Sequence, residues 1–177
     1  MITYHQTSCL RPEGRDAFLA CLRSGQPLAG ADLRGLNLIG VDLRGANLSG
    51  ANFCGANLEG ACLAEADLRR ARLDWACLRR ADFSRVRAEF ALFGCADLEA
   101  ANLSSADLRR ANLVGVRAID VNFSSADLYY ARTSGGDFRG ANFDGANLQR
   151  AIFSASDLTG CALDKAQGQP NLDRAKL

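Results

Sequence analysis

The sequence predicts an all-β chain wound as a four-sided parallel solenoid, and three observations carry that prediction. A five-residue pattern runs without insertion from Ala31 to Leu163. Its central position is Leu or Phe in 24 of 27 units, and the residue two before it is Ala or Val in 23. Five residues match neither the 3.6-residue period of a helix nor the two-residue alternation of a long strand. A chain that turns a corner every five residues and closes a square after four corners does satisfy the pattern. Each unit then turns two side chains inward, one large and one small, because four walls converge on one axis. Twenty residues per coil give about seven coils, and at ~4.8 Å per coil the column is roughly 32 Å long.

The elements follow in chain order. Residues 1–25 form an N-terminal segment, with a short helix expected over Pro12–Arg23. Proline suits a first helical turn, Ala17, Phe18, Cys21 and Leu22 make one apolar face, and Gly25 stops the run. A parallel solenoid exposes unpaired backbone at each end, so this helix is expected to cap the first coil.

Residues 26–165 form the repeat body, reading ADLRG LNLIG VDLRG ANLSG ANFCG ANLEG from Ala31. The residue before each centre is usually Asp or Asn, whose side chains can bond nearby backbone groups at a corner. Every turn carries such a residue, so none stands out as a general acid or base. The centres Ala88, Ala118 and Thr133 are small, and each precedes a phenylalanine centre: Phe93, Phe123 and Phe138. Volume lost on one wall is expected to be filled from the next, as a close-packed core requires. Glycine closes six successive corners, Gly35 to Gly60, whereas Glu65, Arg70, Trp75 and other large residues follow. Because glycine accepts positive φ and bulky residues resist it, corner geometry is expected to change near residue 65.

The units ADLRG, ANLSG, ANFCG, ADLRR and ANLQR resemble the pentapeptide repeat family, with its A(D/N)LXX consensus, over residues 31–165. That resemblance implies a right-handed quadrilateral parallel β-helix. It also implies a bacterial protein, since family members include gyrase-binding DNA mimics that protect against quinolones and many bacterial chains of unassigned role. With no nucleophile–base pair, phosphate loop or pocket-forming insertion in the sequence, a non-enzymatic protein is expected. At the far end the phase slips by one residue across Gln167-Gly168-Gln169-Pro170, and residues 166–177 read as a modified turn or cap. If that turn covers the edge badly, a homodimer through a solenoid end follows, as in several relatives.

Composition narrows function. The 21 Lys and Arg against 20 Asp and Glu leave a net charge of +1, which argues against a strongly basic nucleic-acid binder. No apolar run approaches the ~20 residues that cross a bilayer, so membrane insertion is not expected. The first residues lack the basic segment and apolar core of a secretion signal. A single histidine and seven cysteines with no CxxC pair make zinc binding and histidine catalysis poor readings, and no cofactor or small-molecule substrate is expected. Cys54, Cys62, Cys77, Cys95 and Cys161 lie in the repeats, and no two of them are twenty apart. No pair is therefore placed for a disulfide, and unpaired thiols fit a reducing cytoplasm.

Residues twenty apart stack in one column, so exposed chemistry can be laid out wall by wall. One closing column reads Gly50, Arg70, Phe90, Arg110, Tyr130, Arg150, and its neighbour reads Ser49, Arg69, Glu89, Arg109, Tyr129, Gln149. The third column of this wall holds Asn47, Asp67, Arg87, Asp107, Asp127 and Asn147, giving six arginines against four acids. Cation–π stapling is one reading of the ladder, and a stripe that binds a protein partner is the other, because Arg and Tyr are enriched at interface hot spots. The candidate partner-binding residues are Arg69, Arg70, Phe90, Arg109, Arg110, Tyr129, Tyr130 and Arg150. The interleaved aspartates oppose a phosphate track. A second, more apolar wall carries Trp75, Leu92, Val114 and Ile152. The function class expected is a rigid interaction scaffold; the alternative is topoisomerase binding by DNA mimicry. B-DNA carries one charge per ~1.7 Å, so such a rod would need on the order of 19 net negative charges.

Overall fold

The structure, a computed structural model, describes residues 10–177. The first nine residues of the N-terminal segment, Cys9 among them, lie outside the described residues. Each unit makes one side and one corner of a coil. The residue before the centre pairs in parallel with its counterpart twenty residues on: Asp32 with Asn52, Asn52 with Arg72, Arg72 with Leu92. Around Phe53, the Asn52 N–H donates to Ala31 O at 2.8 Å and the Phe53 N–H to Arg72 O at 2.7 Å. The Gly55 N–H donates to Asp74 O at 3.0 Å, and the Ala56 N–H closes the corner on Phe53 O at 2.8 Å. Sides this short make isolated bridges, so the β-structure consists of stacked bridges between corners.

The expected change of corner geometry at residue 65 does not occur. Every closing residue from Gly25 to Gly160 has positive φ, whether it is Gly60 at 62°, Glu65 at 62°, Trp75 at 57° or Arg110 at 58°. Positive φ at the third residue of a four-residue turn, with the bond back to the first carbonyl, is the pattern of a type II turn. The inter-coil bond of the closing N–H is also the same on both sides of the boundary: Gly60 to Arg79 O at 2.9 Å, Glu65 to Ser84 O at 2.9 Å. Stacking therefore overrides the local preference for glycine, and the surrounding bonds hold the strained conformation in place.

The predicted inward set is the core. Of the 24 Leu and Phe centres only Leu163 is not fully buried, and Ala88, Ala118 and Thr133 are 0% exposed. Phenylalanines fill the space the small centres leave. Phe83 meets Phe93 edge-on at 6.3 Å, Phe123 stacks on Phe143 at 5.1 Å, and Phe138 meets Phe153 at 5.2 Å. The hydroxyl of Thr133 donates to Ile152 O at 2.7 Å, and that of Ser156 donates to Thr133 O at 2.8 Å, so both buried polar groups are satisfied.

Helix α1 spans Arg15–Arg23. It begins three residues later than expected, because Gly14 is extended at φ 178° and interrupts the run from Pro12. Its core-facing side chains are Phe18, Leu19 and Leu22, whereas Ala17 is exposed, about 100° round the helix from Phe18. The stop is a Schellman motif: Gln26 N–H donates to Cys21 O at 3.0 Å and Gly25 N–H to Leu22 O at 3.1 Å, with Gly25 at φ 68°.

At the other end the predicted slip is a coil one residue short. Asn147 bridges Gln167, twenty residues on, but Ile152 bridges Asn171 and Asp157 bridges Lys176, nineteen on. Gly168 takes up the difference at φ 89°, where a Cβ would sit 2.6 Å from the backbone N and Cα of Gln149. Leu163, Leu172 and Ala175 are half-buried in this last coil, and Leu177 is 70% exposed.

Candidate interaction wall

The wall takes its order from the twenty-residue step. Asn47, Asp67, Arg87, Asp107, Asp127 and Asn147 bridge one another in sequence, which aligns the two columns beside them. The carboxylate or amide oxygen of this column accepts the N–H two residues on: Arg69 N to Asp67 at 3.1 Å, Tyr129 N to Asp127 at 3.0 Å, Gln149 N to Asn147 at 3.1 Å. The Asp/Asn column thus does the corner bonding expected of it.

The same spacing fixes two of the arginines. Residues two apart on an extended segment share a face, and in Asp-Leu-Arg triplets the guanidinium folds back on the carboxylate. Arg69 grips Asp67 through Nε at 2.9 Å and Nη2 at 2.6 Å, and Arg109 grips Asp107 at 2.8 and 2.7 Å. Arg87 also reaches Asp67 at 3.0 Å, and Glu89 and Asp127 lie 3.8 and 3.9 Å from Arg109. Asp67, expected on the surface, is 4% exposed beneath its two arginines. The hydrogen bonds from Arg69 hold its carboxyl below the usual carboxylate range. Burial pushes the Asp107 carboxyl up, and the Arg109 hydrogen bonds more than offset it. Triplet pairing in the sequence could have marked Arg69 and Arg109 as internally engaged.

Arg70, Arg110 and Arg150 are different. None has a carboxylate partner among the described residues. Arg110 lies over the Phe90 ring at 5.4 Å and Arg150 over the Tyr130 ring at 5.1 Å, with an Arg150–Tyr130 hydroxyl hydrogen bond. Each guanidinium covers the ring of the preceding coil, as the alternating column anticipates. Arg70 has Gly50 in that place, so no ring lies beneath it. Tyr129 stands edge-on to Tyr130 at 4.7 Å, and Phe90 and Tyr130 remain 40% and 37% exposed.

Two open hollows meet at Phe90. One, of about 480 Å³, is lined by Ser49, Gly50, Arg69, Arg70, Glu89 and Phe90. The other, of about 460 Å³, is lined by Phe90, Arg110, Tyr129, Tyr130 and Arg132. Arg132 was not among the sequence candidates, because it belongs to the next wall and reaches this one only around the corner at Tyr130. On that next wall Trp75 is 68% exposed, and Leu92, Val114 and Ile152 are half-buried.

Other chemistry is sparse. Among the described residues no group of three or more His, Cys, Asp or Glu side chains could hold a metal ion, and no helix is long and apolar enough to cross a membrane. The six described cysteines are free thiols. Burial pushes Cys161 up to about 11, and its Sγ donates to Phe138 O at 3.0 Å.

A solenoid of five-residue units, bridged coil to coil at a twenty-residue step, defines the class of protein. The model for pentapeptide repeats matches residues 28–64, 46–85, 81–117 and 122–160, in 8 copies. The chain belongs to the pentapeptide repeat family. No curated protein matches the sequence. Among solved structures, the chain is similar to HetL, a pentapeptide repeat protein involved in heterocyst differentiation regulation from the cyanobacterium Nostoc. Identity is 23%, coverage 93% of this chain and 94% of that one, and the TM-score 0.67. A pentapeptide repeat protein of the Arabidopsis thaliana thylakoid lumen is 34% identical over 60% of this chain and 68% of its own, with a TM-score of 0.40. QnrB1, a plasmid-mediated fluoroquinolone resistance protein, is 20% identical over 85% of each chain, with a TM-score of 0.43. The likeness to HetL extends the fold assignment over nearly the whole chain.

Proposed function

We propose that this protein is a non-enzymatic interaction scaffold, a right-handed rod of about seven coils that presents one wall to a protein partner. In this reading α1 and residues 166–177 close its two ends, and the 26–165 body carries the contact. The observation that carries the reading is the line Arg70, Arg110, Arg150. These cations have no carboxylate partner among the described residues, although Asp67 and Asp107 hold other arginines of the same wall. They alternate with exposed rings on a backbone bonded at every coil, so little conformational freedom is lost on binding. Large planar and cationic side chains are the ones that anchor interfaces.

A catalytic reading has less support. Acid–base chemistry needs groups titrating near the working pH, whereas Asp32, Asp42 and Asp157 are held at about 2, the first two by Arg34 and Arg44 and the third by hydrogen bonds at Thr159. The free thiols support a reducing, cytoplasmic setting. DNA mimicry at a topoisomerase is disfavoured by 20 acidic residues set against 21 basic ones, and a gyrase supercoiling assay is expected to show no inhibition.

The test is Arg110→Ser with Tyr130→Ser, compared with Ser104→Ala and Ser124→Ala on another wall. Both variants should keep the circular dichroism of the native protein. Only the first should lose the partner that the native protein retains from lysate. A folded Arg110/Tyr130 variant that keeps its partner would place the interface elsewhere.

A further inference from the structure

We infer that the arginine–aromatic wall docks an extended, proline-rich segment of its partner in the polyproline II conformation, with an acidic residue at every third position. The inference rests on the interaction role proposed above and adds the conformation and charge spacing of what binds.

Spacing comes first. Arg70, Arg110 and Arg150 recur every second coil, at intervals of ~9.6 Å. A polyproline II helix has three residues per turn and rises ~3.1 Å per residue, so every third side chain returns to one face at ~9.3 Å. Over the two intervals from Arg70 to Arg150 the two repeats drift apart by only ~0.6 Å. A β-strand returns side chains to one face every ~6.7 Å and falls out of step at once. An α-helix returns at about seven residues, ~10.5 Å, and drifts by ~1.8 Å over the same span.

Chemistry supports the same occupant. Phe90 and Tyr130 stand between the arginines, half-exposed, with the two hollows meeting at Phe90. Aromatic-lined grooves receive the ridges of proline-rich segments, whose conformation is already set before binding. Arg110 and Arg150 lie over the rings of Phe90 and Tyr130, 5.4 and 5.1 Å from the centroids, and Arg150 also donates to the Tyr130 hydroxyl. A guanidinium carries five N–H donors, and neither arginine meets a carboxylate among the described residues, so donors remain for one brought by the partner. The one acid lining the hollows, Glu89, lies 3.8 Å from Arg109.

The experiment titrates the full chain against labelled twelve-residue peptides by fluorescence polarisation. The in-step peptide is Glu-Pro-Pro repeated four times. A second peptide has the same composition with its glutamates bunched at one end, and a third replaces glutamate by glutamine. The in-step peptide should bind about tenfold tighter than the bunched one, and the glutamine peptide should not bind. Arg70→Gln with Arg110→Gln should abolish the preference while circular dichroism stays native. Equal binding of both acidic peptides, or of a single-stranded oligonucleotide, would overturn the inference by showing a general anion surface. Failure of every peptide, while Arg110→Ser with Tyr130→Ser still loses its captured partner, would overturn this inference and leave the interaction role standing. A captured partner that ignores that variant would remove the interaction role itself.

Discussion

Ala100 closes a corner with φ 56° and an exposed methyl group, and its N–H donates to Ile119 O at 2.9 Å. Ala155 repeats the arrangement at φ 57°, bonded to Asp173 O at 2.8 Å. A side chain in the left-handed region costs about 1–2 kcal/mol. Glycine removes that cost, while the added freedom of the unfolded chain gives back about 0.4–1 kcal/mol. No packing is lost, because the methyl groups face solvent. Ala100→Gly should therefore stabilise the protein by about 0.5–1 kcal/mol, and adding Ala155→Gly should double the gain, since the two sites share no partners. For a chain of this size each kcal/mol moves the melting midpoint by about 2–4 °C. Thermal melts of the two single variants and the double variant, followed by circular dichroism, give the comparison. Midpoints that fall on substitution would refute the strained-corner account and show that these corners favour a side chain for a reason other than φ.

Leu108→Ala should cost about 2–5 kcal/mol, because Leu108 is 0% exposed in the core, with Ala88 and Leu128 in its place in the coils on either side. Asp107→Ala beside it removes a largely solvent-screened ion pair with Arg109 and should cost about 0.5–1.5 kcal/mol; equal shifts in urea midpoint would refute the inward and outward assignment. Stability should also depend on acid in a set window. Asp32, Asp42 and Asp157 are depressed from 3.8 to about 2, so their contribution is complete above about pH 4 and is lost as pH falls through about 2. A denaturation midpoint that is level from pH 7 to about 5 and falls between about 4 and 2 is expected, with a shallower fall in Asp42→Asn.

The core was legible because one period decides it: once Leu33 faces inward, every fifth residue must follow, and the buried set ends only at the half-exposed Leu163. The corners were misread for the opposite reason. Glu65 and Trp75 were judged by local preference, whereas their φ is imposed by bonds to Ser84 and Gly94 in the next coil, which a single unit does not contain. The ladder columns could be written down from the twenty-residue step, and Arg110–Phe90 and Arg150–Tyr130 pair as those columns suggest. Which cations stay unpaired could not be read that way. It depends on Asp67 and Asp107 capturing the arginine two residues on, and on Gly50 leaving Arg70 without a ring. Arg132 was missed because a corner brings it from one wall to the edge of another.

The twenty-residue step gives interior and exterior different counting rules. A five-residue insertion between two units returns the chain to phase, so the buried column continues as before. It also carries every later residue a quarter turn around the axis. Five residues added near residue 100 would leave Arg70 and Phe90 where they are and move Arg110, Tyr130 and Arg150 onto the adjoining side. The rod would keep its inward phase, with its lettering split across two sides. Twenty residues added at the same point would restore the alignment and only lengthen the spacing. Length changes in multiples of five thus keep the inward phase, whereas only multiples of twenty keep the later residues on their own side.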